Sequence, residues 1–68
     1  MISKNETIVT TYYKDGTAVG VTTKHNANNL YFFYEFVDND FKKLGKGNSP
    51  SELEEKYDVN KRMGVSIE

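Results

Sequence analysis

Leu30-Tyr-Phe-Phe-Tyr-Glu-Phe-Val37 is the stretch that decides the fold. All of its residues except Glu35 are aliphatic or aromatic, and aromatic and β-branched side chains fit a pleated, packed surface better than a helix. Alternate side chains of a strand point to opposite faces. One face therefore carries Leu30, Phe32, Tyr34 and Phe36, and the other carries Tyr31, Phe33, Glu35 and Val37. Because both faces are largely apolar, the stretch predicts a central strand that is covered on both sides.

A β-hairpin over residues 6-24 is predicted before this strand. Nearly every residue from 7 to 13 is β-branched or aromatic, and Asp15-Gly16 supplies the two positive-φ positions of a type I′ turn. A tight turn pairs Lys14 with Thr17. Counting outward from that pair predicts one face made of the larger side chains, Ile8, Tyr12, Val19 and Val21.

Two more strands and a helix are predicted after the central strand at 30-37. Lysines in the segment 41-46 suit an exposed edge strand, because charge discourages pairing with other chains. The segment 62-67 alternates weakly and predicts a last strand. Ser49-Pro50-Ser51-Glu52 is a helix start, with Ser49 as N-cap, and it predicts a helix over 50-57 whose apolar stripe is Leu53 and Tyr57.

These elements together predict the fold class. We predict a single α+β domain over 1-68, with an antiparallel sheet of four or five strands and one short helix packed on one face.

Composition narrows the class of protein. The 68 residues contain nine Lys plus Arg, ten Asp plus Glu and no Cys, for a net charge of -1. That balance argues against a dedicated nucleic-acid binder, and the lack of Cys excludes disulfides and thiolate metal sites. The N-terminal residues contain no hydrophobic run and no segment approaches membrane-spanning length, so we expect a cytoplasmic protein with no membrane contact. Richness in Lys, Asn and Tyr is typical of a small bacterial or phage accessory protein.

No set of residues indicates catalysis, a metal or a cofactor. His25 is the single histidine and has no Cys or second His beside it. Asp38 and Asp40 could begin a calcium loop, but the later ligand positions of an EF-hand are missing. The glycines around Lys46 lack P-loop spacing. We therefore expect a protein that is not an enzyme and needs no cofactor.

The sequence predicts an interaction surface from the apolar area of the sheet. One short helix covers one face at best, and we expect it over Leu30, Phe32, Tyr34 and Phe36. The other face then keeps a patch of large side chains, the candidate interface Tyr13, Tyr31, Phe33 and Val37. Such a patch usually marks an interface, so the prediction is an interaction module that self-associates as a homodimer or binds a protein partner.

Nucleic acid is the alternative partner. Lys42, Lys43 and Lys46 would contact phosphates of a single strand, and Tyr31 or Phe33 would stack on its bases.

Overall fold

The computed structural model describes residues 2–59 and 66–67. Its elements are β1 (Glu6–Lys14), β2 (Thr17–His25), β3 (Tyr31–Val37), β4 (Asp40–Gly47), α1 (Pro50–Lys56) and β5 (Ser66–Ile67). The strands form an antiparallel sheet in the order β4-β3-β2-β1-β5, and α1 packs on one face. The predicted α+β class is confirmed. The first four strands and the helix lie within one residue of their predicted bounds.

Two tight turns build the hairpins. Asp15 and Gly16 have φ of 53° and 80°, and Lys14 pairs with Thr17 across them. Asp38 and Asn39 have φ of 52° and 64° and join β3 to β4 in the same way. Positive φ at both central residues matches the right-handed twist of the paired strands. The tight Asp15-Gly16 turn that the sequence predicts is confirmed.

Two β-bulges change which residues of the first hairpin share a face. Val19 is an extra residue in β2 and Val9 is an extra residue in β1. The bulges offset each other, so Ile8 still pairs with Thr23 as predicted, but the residues between them are shifted by one position. Tyr12 consequently points to the opposite face from Ile8. The prediction that Ile8, Tyr12, Val19 and Val21 lie on one face is wrong, because a bulge inverts the alternation that it interrupts.

The start of α1 follows the predicted capping pattern. Ser49 has extended backbone angles and its Oγ accepts a hydrogen bond from the Glu52 amide at 3.1 Å. The Glu52 carboxylate reaches back and accepts from the amide of Asn48, one residue before the cap. Two amides at the helix start are therefore satisfied by side chains.

The helix covers the Tyr31 and Phe33 face of the sheet, not the face that the sequence predicts. The fully buried cluster consists of Tyr12, Phe33, Leu53 and Val59, with Val19, Tyr31, Leu44 and Tyr57 packed against it. The Phe33 and Tyr57 rings stack with centroids 5.1 Å apart. The expectation that the helix lies over Leu30, Phe32, Tyr34 and Phe36 is therefore wrong.

Two glycines of β4 explain this choice of face. Gly45 pairs with Phe33 and Gly47 pairs with Tyr31, so both would direct a side chain toward the helix. A Cβ at Gly45 would overlap the Tyr57 hydroxyl and lie 2.9 Å from its Cζ, and one at Gly47 would lie 3.1 Å from Leu53 Cδ2. The missing side chains thus make the room into which the helix packs.

The last strand joins the free side of β1. Ser66 pairs with Tyr13 and Ile67 with Tyr12, antiparallel to β1. Of the predicted strand 62-67, these two residues are in the sheet, and positions 62–65 lie outside the described residues.

Gly45→Ala should destabilise the fold by about 1 to 3 kcal/mol, because the new methyl group has no space beside the Tyr57 ring. Urea denaturation followed by circular dichroism measures this. Adding Tyr57→Phe to Gly45→Ala should recover part of the loss, since it removes the overlapping oxygen. An unchanged denaturation midpoint in Gly45→Ala would contradict the close approach of helix and strand.

Candidate interaction surface

The face opposite α1 is the candidate site. We call it the helix-free face, and the strand register assigns it Ile8, Thr11, Val21, Thr23, Phe32, Tyr34, Phe36, Phe41, Lys43 and Lys46. It crosses β1 to β4. Its middle is polar, and its margins are apolar.

A polar network centred on Glu6 occupies the middle of the helix-free face. Glu6 Oε1 accepts hydrogen bonds from Thr23 Oγ1 at 2.6 Å and from Tyr34 Oη at 2.7 Å. Glu6 Oε2 lies 3.6 Å from Lys43 Nζ. The Glu6 side chain is 3% exposed, whereas that of Lys43 is 47% exposed. One carboxylate therefore connects β1, β2, β3 and β4.

The environment of Glu6 favours its charged form. Burial by itself would raise the pKa of this carboxyl, but hydrogen bonds from Thr23 and Tyr34 and the positive charge of Lys43 outweigh it and lower the pKa below the ordinary value of 4.5. Burial, together with the bond to Glu6, raises the pKa of the Tyr34 hydroxyl. At neutral pH the Tyr34 hydroxyl therefore donates a hydrogen bond to a charged carboxylate. Hydrogen bonds to charged acceptors are stronger than those between neutral groups.

Apolar side chains are exposed toward the margins of the helix-free face. Ile8 is 47% exposed and Phe36 is 38% exposed, whereas Tyr34 between them is 1% exposed. Phe36 packs against Phe41 with ring centroids 4.9 Å apart. Val9, the bulged residue beside Ile8, is 43% exposed. The face therefore shows two apolar areas on either side of a covered middle.

The structure separates the four residues of the predicted interface. Phe33 is fully buried and Tyr31 packs against its cluster, so both belong to the core under α1. Tyr13 is half-buried and lies two residues after Thr11, on the helix-free face. Val37 is 38% exposed at the end of β3, and it points to the same face of the sheet as Phe33. The prediction that Tyr31 and Phe33 form an open patch is wrong, because the glycines of β4 admit the helix there.

The three candidate lysines also do not lie together. Lys43 pairs with Tyr34 and Lys46 with Phe32 on the helix-free face, whereas Lys42 pairs with Glu35 and points to the other side. Lys43 is already engaged, since its Nζ lies 4.1 Å from the centroid of the Phe32 ring and contacts Glu6. Neither Phe33 nor Tyr31 is open for base stacking, so the predicted nucleic-acid site loses its aromatic platform.

His25 and the turn carboxylates have local structural roles. His25 Nδ1 accepts a hydrogen bond from the Ala27 amide at 3.1 Å, and its ring edge approaches Phe32 at 6.4 Å between centroids. Asp40 Oδ1 accepts from the Phe41 amide at 2.8 Å. Among residues 2–59 and 66–67, no three His, Asp or Glu side chains gather as metal ligands would, and no ligand-sized cleft is present.

Sequence reasoning missed Glu6, Thr23 and Tyr34 as a unit. Tyr34 could have indicated this network. The strand alternation placed Tyr34 on a covered face, and a buried tyrosine hydroxyl requires a hydrogen-bond partner. Glu6 precedes Ile8 by two residues, and the predicted Ile8–Thr23 pair brings it beside Thr23. No pattern in the sequence predicts that the Thr23 and Tyr34 hydroxyls lie within hydrogen-bond distance of the Glu6 carboxylate.

No protein-family model, curated protein or solved structure matches this chain. In the part of the chain that the structure describes, no helix has the length and apolar character that crossing a membrane requires. A function for the chain must therefore be argued from its own side chains.

Glu6→Gln should lower the free energy of unfolding at pH 7 by about 1 to 2 kcal/mol, because the two hydrogen bonds lose their charged acceptor and Lys43 loses its partner. A carboxyl with a lowered folded-state pKa stabilises above its unfolded pKa, and this stabilisation disappears as pH falls through the folded-state value. The difference in stability between the wild type and the Glu6→Gln variant should therefore shrink steadily as pH falls below the unfolded-state pKa of about 4.3.

Denaturation midpoints from pH 3 to pH 7 measure this difference. Glu55→Gln is the matched control, since Glu55 is exposed on the helix, and its profile should follow the wild type. A constant gap between wild type and Glu6→Gln across the whole range would show that the charge of Glu6 contributes nothing.

Proposed function

We propose that this chain is a small non-enzymatic interaction module of the cytoplasm that self-associates or binds a protein partner through its helix-free face. The observation that supports the proposal is the exposed apolar surface there, Ile8 at 47% and Phe36 at 38%, with Phe36 paired to Phe41. Aromatic side chains are typical anchors of protein interfaces, because they bury large areas at low entropic cost.

The buried state of Glu6 also favours covering of this face by a partner. A free carboxylate in an interface is costly to desolvate. Glu6 has already lost nearly all contact with water and is bonded to Thr23 and Tyr34. A partner that covers the face therefore meets apolar rings, a carboxylate whose desolvation occurred during folding, and the exposed lysines Lys43 and Lys46, which an acidic group of the partner would pair.

Phe36→Ser should weaken association, and Val37→Ser should not. Both side chains are 38% exposed and they are neighbours in β3, but Phe36 lies on the helix-free face and Val37 points to the other side. Removing a large anchor typically costs about 2 kcal/mol or more of binding free energy, roughly a thirtyfold loss of affinity.

Sedimentation equilibrium over a range of protein concentrations tests self-association of the wild type and both variants. A monomer at every concentration would exclude the homodimer. Where a partner protein has been isolated, its affinity for the two variants is compared by calorimetry. Equal affinities for Phe36→Ser and Val37→Ser would contradict the assignment of the face.

Single-stranded nucleic acid is the second candidate partner, supported by Lys43, Lys46 and the half-buried Phe32 on the same face. Lys46→Glu removes an exposed charge without disturbing the Glu6 network. It should weaken any binding of a labelled oligonucleotide at low salt and make the binding less dependent on salt, because one phosphate contact is lost. Absence of binding by the wild type at low salt would reject this candidate.

A further inference from the structure

The helix-free face is more basic than the chain as a whole. Among the described strand residues of this face the sole carboxylate is Glu6, which is 3% exposed and accepts hydrogen bonds from Thr23 and Tyr34. Lys43 and Lys46 are exposed on the same face, although the net charge of the chain is -1. Glutamates are concentrated instead in α1, on the opposite side of the sheet. A molecule that covers the helix-free face therefore meets two ammonium groups.

Both ammonium groups have hydrogen-bond donors to spare. Lys43 Nζ lies 3.6 Å from Glu6 Oε2, which is longer than an ordinary hydrogen bond, and the Lys43 side chain is 47% exposed. Lys46 forms no ion pair with any residue that the structure describes. Because an ammonium group donates up to three hydrogen bonds, each lysine can bind a carboxylate of another molecule while the Glu6 network stays closed.

A second copy of the chain does not supply these carboxylates. Two copies stacked through their helix-free faces would each bring Lys43 and Lys46 into the interface, and the described strands would bring no exposed carboxylate. Burying unpaired charges is costly. Nucleic acid would supply anionic groups, but phosphates give the exposed Ile8 and Phe36 no apolar contact. The charges and the apolar side chains together therefore favour an acidic protein segment with apolar residues of its own.

The spacing of the apolar areas fits an α-helix. Ile8 pairs with Thr23, Thr23 pairs with Phe32, and Phe36 follows Phe32 along β3. With strands about 4.8 Å apart and a rise of about 3.4 Å per residue, Ile8 and Phe36 are roughly 17 Å apart on a diagonal of the sheet. Three turns of helix span about 16 Å. A helix on this diagonal therefore places two side chains, three turns apart, over the two apolar areas.

We propose that the helix-free face binds an acidic amphipathic helix of a partner protein. Apolar side chains three turns apart contact Ile8 and Phe36. Carboxylates on the flank of the helix toward β4 bond Lys43 and Lys46, and the middle of the helix lies over the closed Glu6 network. With α1 on the opposite face, the partner helix adds a third layer to the sheet. The inference rests on the proposed function, because it names the kind of partner that the same face takes.

A synthetic helical peptide tests the proposal on the wild-type chain. The probe consists of alanine, leucine and glutamate, with two leucines three turns apart and glutamates along one flank between them, and it carries a fluorescent label. The control peptide has lysine in place of each glutamate. Fluorescence anisotropy at low salt should show binding of the glutamate peptide and not of the lysine peptide. Absence of binding of the glutamate peptide, or equal binding of both, would overturn the proposal.

Lys46→Glu and Lys42→Glu are the matched variants for this measurement. Both lysines are exposed in β4 and both substitutions change the net charge equally, but Lys46 lies on the helix-free face and Lys42 points to the other side. The affinity for the glutamate peptide should fall about fivefold in Lys46→Glu, as loss of an exposed ion pair predicts, and should stay at the wild-type value in Lys42→Glu. Equal affinities of two folded variants would overturn the proposal.

These measurements separate the acidic helix from the proposed function. Association that weakens in Phe36→Ser and is unchanged in Lys46→Glu would keep the interaction face and reject the acidic helix. A wild-type dimer with that same pattern would identify a second copy as the partner. Loss of both effects would reject the face and the helix together, and displacement of the glutamate peptide by an equal concentration of a single-stranded oligonucleotide would assign the lysines to nucleic acid and overturn the proposal.

Discussion

The close packing of Tyr57 over Gly45 is the constraint on which the rest of the structure depends. β3 is apolar on both faces, so its sequence alone permits the helix on either one. Gly45 and Gly47 place no side chain opposite Phe33 and Tyr31, and Leu53 and Tyr57 of the helix fill that space. Once α1 is seated there, Phe33 becomes core and Phe36 remains outside. A pair of missing side chains in an edge strand therefore decides which aromatic residues can meet another molecule.

Each face of the sheet contains a network made of a tyrosine hydroxyl, a threonine hydroxyl and a glutamate carboxylate. Under the helix, Tyr12 Oη lies 2.6 Å from Thr22 Oγ1 and donates to Glu54 of α1 at 3.0 Å, and burial raises the pKa of Tyr12 to about 12. On the other face, Tyr34 donates to Glu6, which also accepts from Thr23. The neighbouring threonines of β2 point to opposite faces and each contributes to one network. In a chain too small for a thick apolar core, these hydroxyl–carboxylate contacts fix the position of the helix and the order of the strands.

The sequence predicts the elements well and their orientation poorly. Strand bounds follow from β-branched and aromatic runs and from Asp15-Gly16, which are local signals. The faces depend on where Val9 and Val19 bulge, and a strict alternation cannot anticipate an inserted residue. The side on which α1 packs was readable from Gly45 and Gly47, since two glycines spaced by two in a strand mark one bare face. The candidate site was misassigned for that reason, with Phe33 predicted open and Phe36 predicted covered.

The middle of the helix-free face is covered by the Glu6 network. No second helix of the described residues packs on this face, and a fully apolar face of four strands would stay exposed. Placing Glu6 and Lys43 there lowers the apolar area without leaving a charge unpaired, because the tyrosine and threonine hydroxyls complete the hydrogen bonding of the carboxylate. The apolar side chains that remain open, Ile8 and Phe36, lie on either side of this network. The network therefore stabilises the fold and also divides the face, so that any molecule covering it would contact two separate apolar areas with a satisfied polar network between them.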